Sequence, residues 1–208
     1  MAQRGRKKGS DGEASRALLL KIAADEFAEN GYHETKISDI VKKAEVTQPT
    51  FYLYFKSKRA VFEELEDLFR SKLSELANDT RLDTGIDEES LPERIGDGLS
   101  AILRFFTQNR SLGRIGFFLS PSAGQLKEQI ARKIEENLLA AANAGYFHVN
   151  FDMSIAANGL VGMIEQLTVS KLWTGQRSAD ELAKDIVSIV LYGLKKDCAG
   201  SEAITDKL

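Results

Sequence analysis

The chain of 208 residues has a single cysteine, three prolines and two histidines. A lone Cys198 makes neither an intramolecular disulfide nor a multi-cysteine zinc site, so a free thiol is expected. His33 and His148 lie in no HxxxH or HExxH arrangement and in no Cys/His cluster, which argues against zinc or iron. The spacing of His148 and Asp152 reads as a helix cap or a surface pair. No run approaches the ~18 consecutive apolar residues of a membrane span. The opening residues MAQRGRKKGSDGEASR lack the apolar middle of a signal peptide, so no membrane partner and a cytoplasmic location are expected. GxSxG, Walker-type and GxGxxG patterns are missing as well, and with them any support for an enzyme or a resident cofactor. Alternating strand patterns and internal repeats are also lacking.

What is present is an ordinary globular composition, 43% hydrophobic and 28% charged, sufficient to bury a sizeable core. The net charge of −3 is unevenly spread. Residues 1–60 carry twelve Lys/Arg against eight Asp/Glu, and residues 61–208 carry sixteen against twenty-three. A basic end on an acidic body points weakly to a polyanionic partner.

Helical periodicity runs through most of the chain, and about nine helices in an all-α fold are expected. Residues 1–13, with Arg4, Arg6, Lys7 and Lys8 among glycines, bury too little apolar surface to order and read as a flexible basic arm. Leu19, Ile22, Ala23 and Phe27 mark a first helix over 14–30, stopped by Gly31. Ile37, Ile40, Val41 and Ala44 mark a short second one, with Thr35 placed to cap it. Thr47-Gln48-Pro49-Thr50 opens a third, Thr47 accepting from the Thr50 amide and Pro49 sitting where a missing N–H costs nothing. Ser57 caps a long fourth helix to about Asn78, spanning ~33 Å at 1.5 Å per residue. After a loop over 79–89, helices are expected over 90–108, 111–119, 121–145, 152–173 and 178–196. The chain divides into a flexible basic arm (1–13), an amino-terminal helical domain (14–60), a larger helical domain (61–197) and a flexible tail (198–208).

Two short helices joined by a tight turn and flanked by longer ones make a three-helix helix-turn-helix candidate. The back of the third helix, with Val46, Phe51 and Phe55, would pack on the first, leaving Thr47, Gln48, Thr50 and Tyr52 outward. The Gln48 amide suits adenine and the Thr50 methyl suits a thymine methyl. The run Phe27-Ala28-Glu29-Asn30-Gly31-Tyr32, then Ile37 to Ala44, then Val46 to Lys58, closely resembles the DNA-binding domain of the TetR family of bacterial transcriptional regulators. The resemblance covers about fifty residues. It implies a DNA-binding surface of Thr47, Gln48, Pro49, Thr50, Tyr52, Tyr54 and Lys58, with Tyr52, Tyr54 and Lys58 on phosphates. Glu45 departs from the family pattern, standing where many relatives carry glycine. A left-handed residue there costs ~1 kcal/mol, so a tolerable strain or an altered turn is expected.

Residues 80–208 carry little motif information, and the resemblance there is architectural. It implies homodimers in which the last two helices of each subunit pack together. Ala156, Gly159 and Gly162 permit close approach, and Leu182, Ile186, Ile189, Val190 and Leu194 form an apolar stripe that an intrachain core would show equally well. Phe105, Phe106, Phe117, Phe118, Met163, Gln166 and Trp173 would line a small-molecule effector cavity in such proteins, with Glu165 or Gln166 as polar anchor. The same aromatics also suit plain core packing. The expected function is a ligand-released repressor that binds a palindromic operator as a homodimer. The alternative is a helical small-molecule-binding or interaction protein that has lost specific DNA binding.

Overall fold

The computed structural model describes residues 10–79, 89–146 and 152–193. The arm residues Arg4 to Lys8, most of the 79–89 connection, His148, Leu194, Cys198 and the tail lie outside them. The described residues form nine α-helices and no strand: α1 Ser10–Glu34, α2 Ile37–Lys43, α3 Gln48–Tyr54, α4 Lys58–Asp79, α5 Leu91–Gln108, α6 Arg110–Arg114, α7 Ala123–Asn143, α8 Met153–Leu167 and α9 Ala179–Tyr192. Two π-helical segments, Ile115–Leu119 and Thr168–Leu172, continue α6 and α8.

Helix α1 starts at Ser10, taking in residues that composition had placed in the flexible arm. Gly31, at φ 80° and ψ 165°, breaks it where expected. Thr35 does not cap α2, whose N-cap is Lys36 without a side-chain bond. Its buried hydroxyl instead donates back to the carbonyls of Gly31 (2.8 Å) and Glu26 (3.0 Å), sealing the end of α1. At α3 the Thr47 hydroxyl meets the Thr50 hydroxyl at 3.0 Å rather than its amide, which Pro49 in the first turn brings within reach. Ser57 does cap α4, accepting from the Ala60 amide at 3.1 Å. Asp152 caps α8 through the Ser154 amide (2.9 Å), and Ser178 with Glu181 completes a reciprocal capping box on α9.

Helix α4 is the shared wall of two packing groups. Its first half closes the core of α1–α3: the Phe62 ring centroid lies 5.2 Å from Phe27 and 5.0 Å from Tyr32. That core therefore extends past residue 60. Further along, Phe69 lies within 5.8 Å of Phe105, 6.1 Å of Phe106 and 6.3 Å of Phe117. Behind this layer α9 packs along α5 and α8 along α7. Leu182, Ala183, Ile186 and Val187 are buried, so half of the apolar stripe on α9 belongs to the intrachain core. Ile189 and Val190, 44% and 37% exposed, do not.

The first π segment is built around small residues. A Cβ on Gly116 would stand 2.1 Å from Phe69 Cδ1, and one on Gly113 would stand 2.7 Å from Phe106 Cδ1. The Ser120 amide closes the segment on the Ile115 carbonyl (2.8 Å), five residues back. Two hydroxyls tie α6 and its π continuation to the amino-terminal helices: Ser111 donates to Asp25 of α1 at 2.7 Å, and Ser120 donates to Glu66 of α4.

Candidate nucleic-acid interface

The turn between α2 and α3 fixes everything that follows. The Val46 amide donates to the Val41 carbonyl (3.0 Å) and the Glu45 amide to the Lys42 carbonyl (3.2 Å), the bond pair of a Schellman motif. That motif needs a left-handed residue after the helix cap, and Glu45 supplies it at φ 55°. The turn is thus kept at the strain expected, without glycine. Val46 then packs against the core and delivers the chain to Thr47 in extended conformation.

Helix α3 has a sharply divided surface. Phe51 and Phe55 are buried, with rings 5.5 Å apart, while Thr47, Gln48 and Pro49 are exposed and Thr50 is half-buried. Tyr52 is 54% exposed, standing edge-on to Phe51, and Leu53 is 80% exposed. Periodicity had not singled out Leu53. Its exposure follows from helix geometry, because residue 53 lies nearly opposite residue 51 at 100° per residue. Tyr54 is half-buried, and its phenol oxygen would stand 3.7 Å from a Cβ on Gly12, so the ring leans on the first turns of α1.

Lys58, expected on a phosphate, is engaged within the protomer. Its ammonium donates to three carbonyls, Tyr32 (2.7 Å), Thr35 (2.8 Å) and His33 (3.2 Å), and lies 4.5 Å from the Tyr32 ring centroid. An ammonium has three protons, and all three are directed at the otherwise unsatisfied end of α1. Lys58 thereby locks the broken end of α1 to the start of α4.

Two ion pairs hold the module from behind. One Nη of Arg16 donates to both carboxylate oxygens of Glu64 at 2.7 Å, its guanidinium lying 5.0 Å from the Phe55 ring centroid. Lys43 pairs with Glu26, a buried carboxylate that also accepts from Asn30 (3.3 Å). The hydrogen bond from Lys43 to Glu26 raises the Lys43 pKa above its usual 10.5. Sequence periodicity gave no sign of Glu26, whose burial makes sense only beside a lysine from another helix.

Of the seven residues expected to line an effector cavity, five form one continuous aromatic layer. Phe105, Phe106 and Phe117 are buried. Phe118 lies 5.5 Å from Phe117 and 5.2 Å from Trp173, whose indole N–H donates to the Phe106 carbonyl at 3.0 Å. Met163 is packed at the edge of the core and Gln166 is exposed. Glu165 is engaged by Lys127. The buried rings pack within the core, and Gln166 stands apart from them.

A short exposed helix, backed by buried aromatics and presented by a tight turn from a second short helix, defines a helix-turn-helix DNA-binding protein. Residues 19–65 match the family described as bacterial regulatory proteins, tetR family. An uncharacterized HTH-type transcriptional regulator of Bacillus subtilis (strain 168), YdgC, is 44% identical over 185 residues, covering 89% of this chain and 95% of that protein. The chain belongs to the tetR family and is a helix-turn-helix transcriptional regulator. The fold is shared with a TetR-like regulator from Rhodococcus sp. RHA1 (TM-score 0.70, 23% identity, 91% of this chain and 98% of that one). It is shared also with FadR from Bacillus subtilis, solved in complex with stearoyl-CoA (TM-score 0.67, 17% identity, 86% and 99%). Among the described residues no helix is long and apolar enough to cross a membrane.

Proposed function

We propose that the protein is a homodimeric repressor that binds an inverted-repeat operator in the cytoplasm and is released by a small-molecule effector bound among the carboxy-terminal helices. The outward surface of α3 carries this reading, with Gln48, Pro49 and Tyr52 exposed on a helix whose back is fixed by Phe51 and Phe55. Gln48 and Thr50 read base edges, and Thr47, Tyr52 and Tyr54 position the helix on phosphates. Lys58 acts on DNA by holding α1 and α4 together, and adds a phosphate contact only if it leaves its carbonyls.

The dimer reading rests on the open face of α8 and α9. Ile155, Val169, Ile189 and Tyr192 are 68%, 44%, 44% and 66% exposed. A Cβ on Gly159 or Gly162 would meet nothing within 4 Å, so the protomer itself has no packing reason for glycine there. A second copy of this face would supply the reason, and would space two recognition helices for half-sites ~34–36 Å apart.

The effector reading is supported by the contacts of α4 with the first π segment and by the FadR structure of the same fold, which was solved in complex with stearoyl-CoA. A ligand that favours a pivoted α4 moves the recognition helices out of register. A coupling of ~1–3 kcal/mol, a five- to 150-fold change in operator affinity, is sufficient.

The test is selection from a random DNA pool, followed by titration of the enriched duplex at several salt concentrations. An enriched inverted repeat bound by two protomers with a steep salt slope is the expected result. Weak, sequence-independent binding at every salt concentration would overturn the reading.

A further inference from the structure

Where α7, α8 and the first π segment meet, the Lys127 ammonium is held in a way that an ordinary surface pair does not require. It pairs with Glu165 of α8, and it also lies 5.0 Å from the ring centroid of Phe117 and 5.5 Å from that of Phe118. Trp173 extends the aromatic surface, its ring centroid 5.2 Å from that of Phe118. The site is neither sealed nor fully wet, since the Lys127 and Glu165 side chains keep 22% and 36% exposure.

Two aromatic faces and one carboxylate around a cation, with a further aromatic alongside, is the chemistry that recognises alkylammonium groups. We propose that Phe117, Phe118 and Glu165 form a binding site for an amphiphilic alkylammonium effector, and that Lys127 occupies this site with its own ammonium in the ligand-free protein. The inference rests on the effector reading given above and names its chemical class.

Charge and hydration favour a cation here over an anion. The faces of both phenyl rings carry the negative part of the aromatic quadrupole, and Glu165 adds a full negative charge. A primary ammonium is strongly hydrated, so Lys127 regains much on swinging into water from its partly open position. An alkyl-substituted ammonium is less hydrated, and its substituents cover Phe118 and Trp173, which Lys127 cannot do with a single chain.

The position of the site also gives it an outlet. Phe117 packs on Phe106 at 5.2 Å and on Phe69 of α4 at 6.3 Å, so the rings that would hold the effector touch the helix that carries the DNA-binding module. Exchange of a tethered ammonium for a bulkier one acts on the first π segment, whose Gly116 leaves no slack against Phe69.

The experiment titrates the full chain with decyltrimethylammonium below its micellar concentration, followed by the fluorescence of Trp173, the single tryptophan. Wild type is compared with Lys127→Met, Lys127→Arg and Glu165→Gln. Removing the competitor should tighten binding by about tenfold in Lys127→Met, removing the anion should weaken it by about tenfold in Glu165→Gln, and Lys127→Arg, a less hydrated cation that stacks on the rings, should bind the ligand more weakly than wild type. Should Lys127→Met fail to fold, the comparison of wild type with Glu165→Gln still decides. Equal affinities across the foldable variants would overturn the proposal. So would binding of decanoate that needs Lys127 and ignores Glu165→Gln. Binding of the ammonium with the expected pattern but without release of the selected operator would leave the site standing and remove the effector-released repressor reading instead.

Discussion

Gly116 and Phe69 are in contact so close that the glycine has no substitute: an added Cβ would lie 2.1 Å from Cδ1, 2.2 Å from Cγ and 2.8 Å from Cβ of the phenylalanine. The clash would involve the base of the Phe69 side chain, which cannot move without moving α4. Gly116→Ala should therefore destabilise the protein by ~1–3 kcal/mol or more, the range of overpacked cores. It should also alter DNA affinity, because α4 is what shifts. Chemical denaturation and operator titration of the same variant check both. Gly113→Ala, facing the ring edge of Phe106 at 2.7 Å, should show a smaller loss of stability.

Lys58 offers a test of its position. A lysine that only meets phosphate would change DNA binding and leave folding alone. Lys58→Met removes the donor to three carbonyls at the end of α1, and should lower unfolding free energy by ~1–2 kcal/mol in the absence of DNA. Weaker binding to specific and random DNA alike should accompany it. An unchanged denaturation midpoint would return Lys58 to the phosphate role alone.

The dimer face can be tested with a residue that the protomer tolerates. Since nothing lies within 4 Å of a Cβ at Gly162, Gly162→Leu should preserve the helical spectrum of the protomer. Sedimentation should then report monomers where wild type gives dimers, with loss of tight operator binding. A dimeric Gly162→Leu variant would place the interface elsewhere.

Glu45 carries its strain in the open. Ala44 to Val46 repeat the bond pattern found at the end of α7, where Gly145 takes the same left-handed position at φ 91°. Glu45→Gly should stabilise the protein by up to about 0.6 kcal/mol, the relief of the left-handed side chain less the extra freedom of glycine when unfolded. That corresponds to a rise in Tm of up to about 2 °C for a domain of this size, readable by calorimetry.

Acid sensitivity should show at the start of α9. The Ser178 backbone amide, bonded at 2.8 Å, and then its hydroxyl hold the Glu181 pKa below its usual 4.5. A carboxyl with a lowered folded pKa contributes its stability above 4.5 and loses it as pH falls through the folded value. Glu181→Gln should be less stable than wild type at pH 7, and the difference should shrink below pH 4.5 in denaturation curves.

These sites differ in how far the sequence revealed them. Local chemistry was legible where it acts within a few residues: Ser57 and Asp152 cap as their hydroxyl and carboxylate positions suggest. The division of α3 into buried Phe51 and exposed Gln48 followed from reading it as a recognition helix with an apolar back. What stayed hidden depends on long-range pairing. Thr35 had two possible partners, and only the break at Gly31 decides that it seals α1 rather than capping α2. The ammonium of Lys58 finds carbonyls twenty-three to twenty-six residues away, and Lys127 finds Glu165 thirty-eight residues away. A composition-based reading of the first thirteen residues missed the start of α1 at Ser10. Leu182 and Ile186 were ambiguous because an apolar stripe looks the same whether the neighbour is α5 or another copy.

Helix α4 has a consequence for how such a molecule can be taken apart. Phe62 completes the core of the amino-terminal helices and Phe69, two turns on, belongs to the aromatic layer behind them. One continuous rod of backbone hydrogen bonds is thus a structural member of both halves, and neither half keeps its wall if the rod melts. The two should unfold in a single cooperative transition, and a fragment ending at residue 60 should fail to fold. Any recombination that grafts this DNA-reading head onto another body must carry the rod with the head and match its far end to the new host.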